Sequence, residues 1–363
     1  MSEDLSGPAD EGTKKFALSL GAALARTHHD VAVFTTGGSG PAPLPGARLA
    51  RAPRTFLSRH LYAALATHRP EVLVYAARPS TTFASFVRAA VLRAYCPSAT
   101  VVLLGLQPRH HAGWQRRLIG ALAPQLVCVQ SPDSAQYLRD LGCTTELLSS
   151  GVDLHVFRPA PPARRRELRV RYGLDPDRPV ALHVGHLKAG RGIGVLADLA
   201  STGVAQVLLL TSTSTANQAD SDLEAPLRRA GVSLLTEFQP HVEQLYQLAD
   251  CYVFPVESRA DAIEIPLSVL EAFACDLPVV TTRFGGLPRL FEREKSVGLT
   301  FVDSNARLVE EASRICRSGL AGRAGTRSLA LPYAWDAIAQ RLIDSALPSP
   351  SAEARLHPVM VQA

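Results

Sequence analysis

The residues best suited to chemistry lie in a predicted loop and helix that carry two acidic side chains seven positions apart. Glu264 lies in the loop, and Glu271 lies among apolar residues of the helix that follows. Because carboxylates accept hydrogen bonds from hydroxyl groups, Glu271 is suited to bind ribose hydroxyls and Glu264 to contact a sugar ring. A solvated loop position is the alternative for Glu264, whereas an acidic residue on an apolar helix face requires a partner.

A glycine turn follows this helix and the next apolar strand. Gly285 and Gly286 end the run PVVTTRFGG, where they allow the backbone to turn sharply. Ligands of parallel α/β sheets bind at the carboxyl ends of strands. Both the Glu264 loop and the glycine turn are therefore predicted to lie beside one ligand cleft.

A glycine-bracketed turn with two cations forms a second candidate site, in the sequence HVGHLKAGRG at residues 183–192. Free amide groups at the start of the helix that follows, together with Lys188 and Arg191, are suited to bind a diphosphate. The spacing matches neither GxGxxG nor a GK[ST] phosphate loop. On these residues alone, a solvent-exposed cationic turn is an equal alternative.

A third cluster follows a predicted strand end in the first half of the chain. His110 and His111 are suited to hydrogen-bond a substrate hydroxyl, although a plain surface role is the alternative for each. Arginines beside Trp114 suit an anionic acceptor or a membrane surface. These arginines are Arg109, Arg116 and Arg117.

The remaining composition argues against several classes of site. The six cysteines are scattered without CxxC spacing, so we interpret them as small buried side chains in a reducing compartment. No zinc site or nucleophile elbow is recognisable, and 6% aromatic residues give no stacking surface for nucleic acid. We expect no metal, no separate cofactor and no nucleic-acid partner. The formal net charge of +5 favours anionic ligands in general.

The sequence contains neither a signal-peptide pattern at its polar start nor an apolar run near the ~20 residues of a membrane span. We therefore expect a cytoplasmic protein, with the inner membrane surface as an alternative location. That alternative rests on the arginine cluster beside Trp114 and predicts a peripheral contact.

The elements that must position these residues are predicted to be βα units. Short apolar runs alternate with segments of helical periodicity, which is typical of a parallel sheet. The predicted strands begin at Asp30, Val72, Thr100, Gln125, Val180, Gln206, Val232, Cys251, Pro278 and Gly298. The 363 residues have room for two such doubly wound α/β domains.

We place a first domain at residues 1–158, a second at 159–334, a C-terminal helix at 335–347 and a loose tail at 348–363. A doubly wound domain normally opens with an apolar strand, but here the glycine loop SGPADEG follows Met1 almost directly. We expect the first strand to be missing from this reading frame because the start codon is placed too far downstream. A domain built without that strand is the alternative.

Five segments in this order resemble the family-4 retaining glycosyltransferases of the GT-B fold. They are LSSGVDLHVFRP, VGHLKAGRG, LYQLADCYVFP, PLSVLEAFACDLPVVTTRFGGLP and YAWDAIAQRL. The resemblance covers nearly the whole chain. It implies two Rossmann-like domains that face a cleft, with an acceptor bound by the first, a nucleoside-diphosphate sugar bound by the second, and a C-terminal helix that crosses back.

The resemblance also implies roles for individual residues. Lys188 and Arg191 would hold the diphosphate and neutralise the leaving group, while Glu271 would bind the ribose. Glu264 and His110 are the further catalytic candidates. The remaining candidates that shape or bind the donor site are Gly12, Gly185, His186, Gly285 and Gly286. With protein cations at the diphosphate, no divalent metal is needed.

Three positions depart from the family pattern. His186 replaces an arginine, Ile263 stands where the family has its first glutamate, and Pro266 replaces a glycine that offers a backbone amide. The predicted function is sugar transfer, with retention, to a carbohydrate, lipid or small-molecule acceptor. The departures support an alternative, a GT-B protein with weakened catalysis that binds nucleotide sugar or serves as a partner subunit. A sugar-nucleotide epimerase is less favoured.

Overall fold

The computed structural model describes residues 12–35, 48–51, 56–211, 221–293, 298–322 and 324–347. Most of the glycine loop before Gly12, and with it the question of a missing first strand, lies outside the described residues. The predicted tail at 348–363 also lies outside them.

The first half of the chain forms parallel strands connected by helices. Four strands are hydrogen-bonded in the order β3-β4-β5-β6, and a separate pair forms β1-β2. The strands are β1 (Ala32–Thr35), β2 (Arg48–Arg51), β3 (Val72–Ala76), β4 (Thr100–Gly105), β5 (Leu126–Val129) and β6 (Thr145–Leu147). The helices are α1 (Gly12–Arg26), α2 (Arg59–His68), α3 (Phe83–Tyr95), α4 (Gly113–Leu122) and α5 (Pro132–Asp140). Side-chain hydroxyls of Ser58, Thr82 and Ser131 cap α2, α3 and α5 at their first turns.

The second half forms one six-stranded parallel sheet in the order β12-β11-β10-β7-β8-β9. Its strands are β7 (Val180–Val184), β8 (Gln206–Leu210), β9 (Val232–Leu235), β10 (Cys251–Phe254), β11 (Val279–Thr282) and β12 (Leu299–Val302). The helices are α6 (Pro162–Arg171), α7 (Val195–Ser201), α8 (Ser221–Arg229), α9 (Glu243–Leu248), α10 (Leu267–Ala274), α11 (Leu287–Phe291), α12 (Asn305–Ser318), α13 (Arg327–Ala330) and α14 (Trp335–Ala346). The strand order reverses between β7 and β10. In open α/β sheets, the carboxyl ends of strands at such a reversal form the ligand crevice.

The last helix returns to the first half and packs against the first helix. Trp335 of α14 meets Phe16 of α1 edge to face, with ring centroids 5.1 Å apart. A Cβ atom on Gly151 would lie 2.5 Å from the Trp335 ring, so this position admits only glycine without rearrangement. An exposed ion pair between Arg26 and Asp336 joins the same two helices. The predicted crossing helix is therefore confirmed.

The predicted strands are present, and the structure adds β2 and β6, which the sequence analysis does not include. Both have only three or four residues, and each carries charged side chains. Apolar periodicity is too brief in such segments to identify a strand. Among the helices of the described residues, none combines the length and apolar character that a bilayer-spanning helix needs.

Candidate functional site

A cleft of about 210 Å³ lies where the carboxyl ends of the two sheets face each other. Gly12, Lys15 and Gln107 line it from the first half. Gly185, Arg191 and Glu271 are among the residues that line it from the second half. Gly185 directly follows β7 at the strand-order reversal, so the cleft coincides with the crevice that the topology predicts.

Arg191 is a buried cation at the wall of this cleft. It ends a short 3₁₀ turn, Ala189–Arg191, and only 7% of its surface is exposed. Its Nε has no hydrogen-bond partner within the described part of the chain. Burial lowers the pKa of the guanidinium, since the charged form loses hydration. A buried, incompletely paired cation facing a cleft is suited to bind an anionic ligand.

His183 of β7 lies next to Arg191 and is uncharged. Burial, aided by the neighbouring Arg191 charge, lowers the pKa of the imidazole to about 3. Its Nδ1 lies 2.8 Å from the carbonyl oxygen of Val253, so the neutral ring donates there. A Cβ on Gly185 would lie 2.5 Å from Arg191 Nη1 and 2.8 Å from His183 Nε2. A glycine at position 185 therefore leaves room for both side chains.

Glu271 has protein partners on both carboxylate oxygens. Oε2 accepts a hydrogen bond from the Tyr246 hydroxyl at 2.8 Å, and Oε1 forms an ion pair with Lys15 of α1. Only 3% of Glu271 is exposed. The sequence analysis predicts that Glu271 requires a partner, and the structure confirms it. The Lys15 pair also connects the two walls of the cleft, because the two residues belong to different halves.

Glu264 is placed away from the residues that line the cleft. Its Oε2 accepts a 2.9 Å hydrogen bond from the Ser134 hydroxyl in the first turn of α5. Its Oε1 is buried and has no hydrogen-bond partner among the described residues. Burial raises the pKa of the carboxyl, and the hydroxyls of Ser131 and Ser134 together with the charge of Arg259 oppose this shift only in part. The side chain therefore contacts the first half of the protein instead of the cleft.

The backbone on either side of Glu264 is also bonded to the first half. Glu264 N donates to the carbonyl oxygen of Leu106 at 2.9 Å, and Ile265 N donates to Gln130 Oε1 at 2.9 Å. Ser150 Oγ accepts from Gln130 Nε2 at 2.9 Å and donates to the carbonyl oxygen of Ile265 at 2.6 Å. We call residues 263–265 the anchored segment, because buried hydrogen bonds hold it to the opposite half of the protein.

Ile263 and Pro266 do line the cleft. Ile263 is 7% exposed, and a Cβ on Gly12 would make ordinary contact with its Cδ1 at 3.7 Å. Pro266 precedes α10 with extended backbone, which agrees with the predicted helix start near this residue. The wall between Gly12 and α10 is therefore apolar where Ile263 stands.

The other predicted site residues are dispersed. His186 lines the cleft, whereas Lys188 is half-buried just before the 3₁₀ turn and is not among the lining residues. His110 is exposed and makes an edge contact with Tyr137, with ring centroids 5.6 Å apart. His111 is held by the Tyr137 hydroxyl and the Thr81 carbonyl oxygen, and burial lowers the pKa of its ring. These contacts fit a structural role for His111.

Comparison with known protein families addresses the second half of the chain. Residues 178–318 match the family model described as glycosyl transferases group 1. This segment belongs to the group 1 glycosyl transferases. The resemblance inferred from the five sequence segments is thereby confirmed, and we call the matched segment the group 1 domain. It contains Gly185, Arg191, Glu264 and Glu271, together with the glycine turn.

Two curated relatives extend this result. A D-inositol 3-phosphate glycosyltransferase from Frankia alni is 30% identical over 220 residues, which are 55% of this chain and 52% of the relative. An alpha-maltose-1-phosphate synthase from Mycobacterium tuberculosis is 26% identical over 219 residues, 54% of this chain and 55% of the relative. The chain thus spans about half the length of the curated relatives it matches.

Solved structures show that the fold extends beyond the group 1 domain. Sucrose-phosphate synthase from Thermosynechococcus elongatus has a TM-score of 0.73 at 20% identity, over 93% of this chain and 94% of that chain. HepE from Anabaena, crystallised with UDP and glucose, has a TM-score of 0.72 at 17% identity, over 96% of this chain and 99% of that chain. The predicted GT-B fold, with two Rossmann-like α/β domains, is confirmed.

The glycine turn supports the anchored segment within the group 1 domain. Gly286 N donates to the carbonyl oxygen of Glu264 at 2.9 Å. Gly285 has φ of +53°, and a Cβ there would lie 2.3 Å from the same carbonyl oxygen. Only glycine is free of both backbone strain and this collision.

We expect Gly285→Ala to lower the free energy of unfolding by about 2–4 kcal/mol, since it combines a positive φ with a clash against backbone. Urea unfolding followed by circular dichroism measures this change. Gly194→Ala is the matched control, because a Cβ at Gly194 meets no atom within 4 Å and its φ is −55°. Equal stability of the two variants would contradict the conclusion that only glycine fits at position 285.

The buried Glu264 carboxyl predicts a pH dependence. A carboxyl whose pKa is raised by folding stabilises the native state below its ordinary pKa, and this contribution is lost as pH rises through the raised value. Glu264→Gln keeps the side-chain shape but cannot ionise. We expect this variant to be more stable than the wild type at neutral pH and similar to it near pH ~4.

Urea unfolding across this pH range tests the expectation. Glu146→Gln, at an exposed position of β6, is the control and should leave the pH dependence unchanged. A Glu264→Gln protein that loses stability at neutral pH would show instead that the ionised carboxylate stabilises the fold.

Proposed function

We propose that this protein is a glycosyltransferase that moves a sugar from a nucleoside-diphosphate sugar to an acceptor with retention of anomeric configuration. The observation that carries the proposal is the position of Arg191. This buried cation faces the crevice between β7 and β10 of a group 1 domain, on the cleft that Glu271 also lines. The acceptor class stays open among carbohydrates, lipids and small molecules.

Arg191 is suited to act on the leaving group. When the bond between the anomeric carbon and the diphosphate oxygen breaks, its electron pair goes to the diphosphate, which gains negative charge. A fixed cation in a site with little water stabilises that charge more than it would in solution. Gly185 has no side chain, so the guanidinium can pack against the backbone at the end of β7, where both residues line the cleft. Lys188 is proposed as a second cation that reaches the diphosphate when the substrate is bound.

Glu271 is proposed to bind the ribose hydroxyls of the donor. Both of its oxygens already have partners, so a ribose hydroxyl would replace the Lys15 ammonium or share Oε1 with it. Burial raises the pKa of the Tyr246 hydroxyl well above its ordinary value, so this group stays protonated and keeps donating to Oε2. Tyr246 would thereby fix the orientation of the carboxylate.

The donor sugar would lie near Ile263, beside Gly12 and the apolar part of the wall. An isoleucine cannot accept hydrogen bonds from sugar hydroxyls, whereas an acidic residue in the family pattern can. Donor-sugar preference is therefore proposed to depend on this position. The proposal needs no divalent metal, because Arg191 supplies positive charge at the diphosphate. Turnover should be unchanged by EDTA.

The test is nucleotide release from a panel of UDP-, GDP- and ADP-sugars with candidate acceptors. Sugar-dependent release of free nucleoside diphosphate supports the proposal, and analysis of the product anomer tests retention. Binding of a nucleotide sugar without release, across the whole panel, would favour the alternative of a binding or partner protein. Interconversion of the donor without an acceptor would favour an epimerase.

A further inference from the structure

An unusually basic stretch of sequence lies beside the cleft in the first half of the protein. From Val72 to Pro132 the chain contains six arginines and no aspartate or glutamate. This stretch includes all of α3 and α4. Two adjacent helices that carry arginines and no acidic residue produce a positive surface. This surface attracts anionic partners that come within about one Debye length, the range beyond which salt screens the attraction.

The two helices lie side by side and run in the same direction. Near their starts, the rings of Phe83 and Trp114 meet edge to face, with centroids 5.0 Å apart. Near their ends, Arg93 of α3 donates to the carbonyl oxygens of Ala121 and Ala123 at 3.1 and 2.5 Å. The helices therefore form one continuous face, which we call the α3–α4 face.

Exposed apolar side chains follow this face. Trp114 is 60% exposed, and Leu118, one helical turn further along α4, is 46% exposed. Val87, one turn after Phe83 on α3, is 40% exposed. Contiguous apolar groups on a polar surface commonly mark a site of interaction.

One cation accompanies the apolar side chains on α4. Arg117 is exposed and forms no ion pair with any residue in the described ranges. Arg116 is also exposed, but it points to the other side of α4 and lies over the ring of Tyr137, 5.9 Å from its centroid, so it adds positive charge to the surface without lying on this face. Tryptophan and leucine beside an unpaired arginine are typical of helices that lie in a membrane interface, with the apolar groups among lipid headgroups and the cation on a lipid phosphate.

The α3–α4 face is also close to the mouth of the cleft. Gln107 lines the cleft, and Arg109 donates to Gln107 Oε1 at 2.8 Å in the loop that leads into α4. A surface bound to Trp114 would therefore lie beside the cleft wall that the first half of the chain forms.

We propose that the α3–α4 face binds the surface of an anionic lipid bilayer, with Trp114 and Leu118 inserted at the headgroup level, Arg117 on lipid phosphates, and the nearby charge of Arg116 adding to the attraction. This inference does not depend on the proposed function, since it concerns binding and needs no turnover. Charge complementarity and the exposed tryptophan favour a lipid surface over a second copy of the chain, whose own α3–α4 face carries the same positive charge.

Vesicle flotation of the full chain tests the proposal. The wild type should bind vesicles of phosphatidylglycerol and phosphatidylcholine, bind pure phosphatidylcholine weakly, and dissociate as the salt concentration rises. Arg116→Gln/Arg117→Gln should lower the partition coefficient by at least about tenfold, and Trp114→Gln/Leu118→Gln should do so by a similar factor. The matched control is Val170→Gln/Arg171→Gln, at exposed positions of α6, and it should bind as the wild type does.

Intrinsic fluorescence gives an independent readout, because the chain has two tryptophans and only Trp114 is exposed, Trp335 being 5% exposed. Anionic vesicles should shift the wild-type emission to shorter wavelength, and brominated lipids should quench it. In Trp114→Phe both effects should disappear.

Three results would overturn the proposal. One is a failure of the folded wild type to bind anionic vesicles at low salt. Another is unchanged binding by both α4 double variants, or loss of binding by the α6 control. The third is a dimer in sedimentation velocity that Trp114→Gln/Leu118→Gln abolishes, which would assign the α3–α4 face to a second copy of the chain.

Discussion

Arg191→Met should lower donor-dependent turnover by on the order of 10²–10³-fold and, at the same time, raise the stability of the protein. The activity falls because the diphosphate loses the buried cation that stabilises its developing charge. Methionine has similar reach but no charge, so the native state no longer bears the desolvation cost that lowers the pKa of Arg191. We expect the free energy of unfolding to rise by about 1–2 kcal/mol.

The two measurements are steady-state nucleotide release and thermal or urea unfolding, both on purified full-length protein. Arg178→Met is the control, because Arg178 is exposed and its guanidinium contacts only the Gly203 carbonyl oxygen in the described structure. It should change neither quantity by much. If Arg191→Met unfolds or retains full turnover, Arg191 is a structural cation and the diphosphate assignment fails.

Lys15→Met should tighten the binding of nucleoside diphosphate, although it removes a positive charge from the cleft. Lys15 occupies Glu271 Oε1, the acceptor that the proposal assigns to a ribose hydroxyl. Without Lys15, that oxygen is left unpaired until the nucleotide binds. We expect several-fold stronger binding and an apo protein destabilised by about 1–3 kcal/mol, because an almost buried carboxylate loses its partner.

Glu271→Gln should act in the opposite direction and weaken nucleotide binding by about 10–100-fold, since hydrogen bonds to a charged group contribute ~1.5–3 kcal/mol.

Calorimetric titration of UDP, GDP and ADP into each variant and into the double variant measures the coupling between Lys15 and Glu271. Lys15→Met should lose its effect in the Glu271→Gln background. Arg26→Met, which breaks the exposed ion pair of α1 with Asp336, is the control and should leave binding unchanged. Weaker binding by Lys15→Met alone would show that Lys15 contacts the donor itself.

The local parts of this site could be predicted from sequence. Arg191 and Gly185 follow a strand within a few residues, and Glu271 lies on the apolar face of a helix, so short-range patterns identify them. The structure places all three residues at the cleft wall, and their roles there stay predictions.

Contacts between the halves could not be predicted in the same way. In the sequence, Lys15 resembles any cation on a helix surface. Helical periodicity shows which face of α1 is buried, but it does not show that α1 faces Glu271 across the cleft. The directions of the neighbouring side chains Ile263 and Glu264 could not be predicted either. Ile263 lines the cleft, whereas Glu264 contacts α5. In a loop, the direction of a side chain depends on tertiary contacts and not on a regular backbone pattern.

The anchored segment has a consequence for the timing of ligand exchange. A rigid separation of the two halves would break the buried hydrogen bonds to Leu106, Gln130 and Ser134, and each broken bond costs about 1 kcal/mol or more when its groups remain dry. A hinge rotation that keeps these bonds avoids that cost. Residues 263–265 would then lie on the hinge axis, with Ile263 moving together with the first half. The residence time of a bound nucleotide would depend on how far the rest of the second half's cleft wall rotates about that axis.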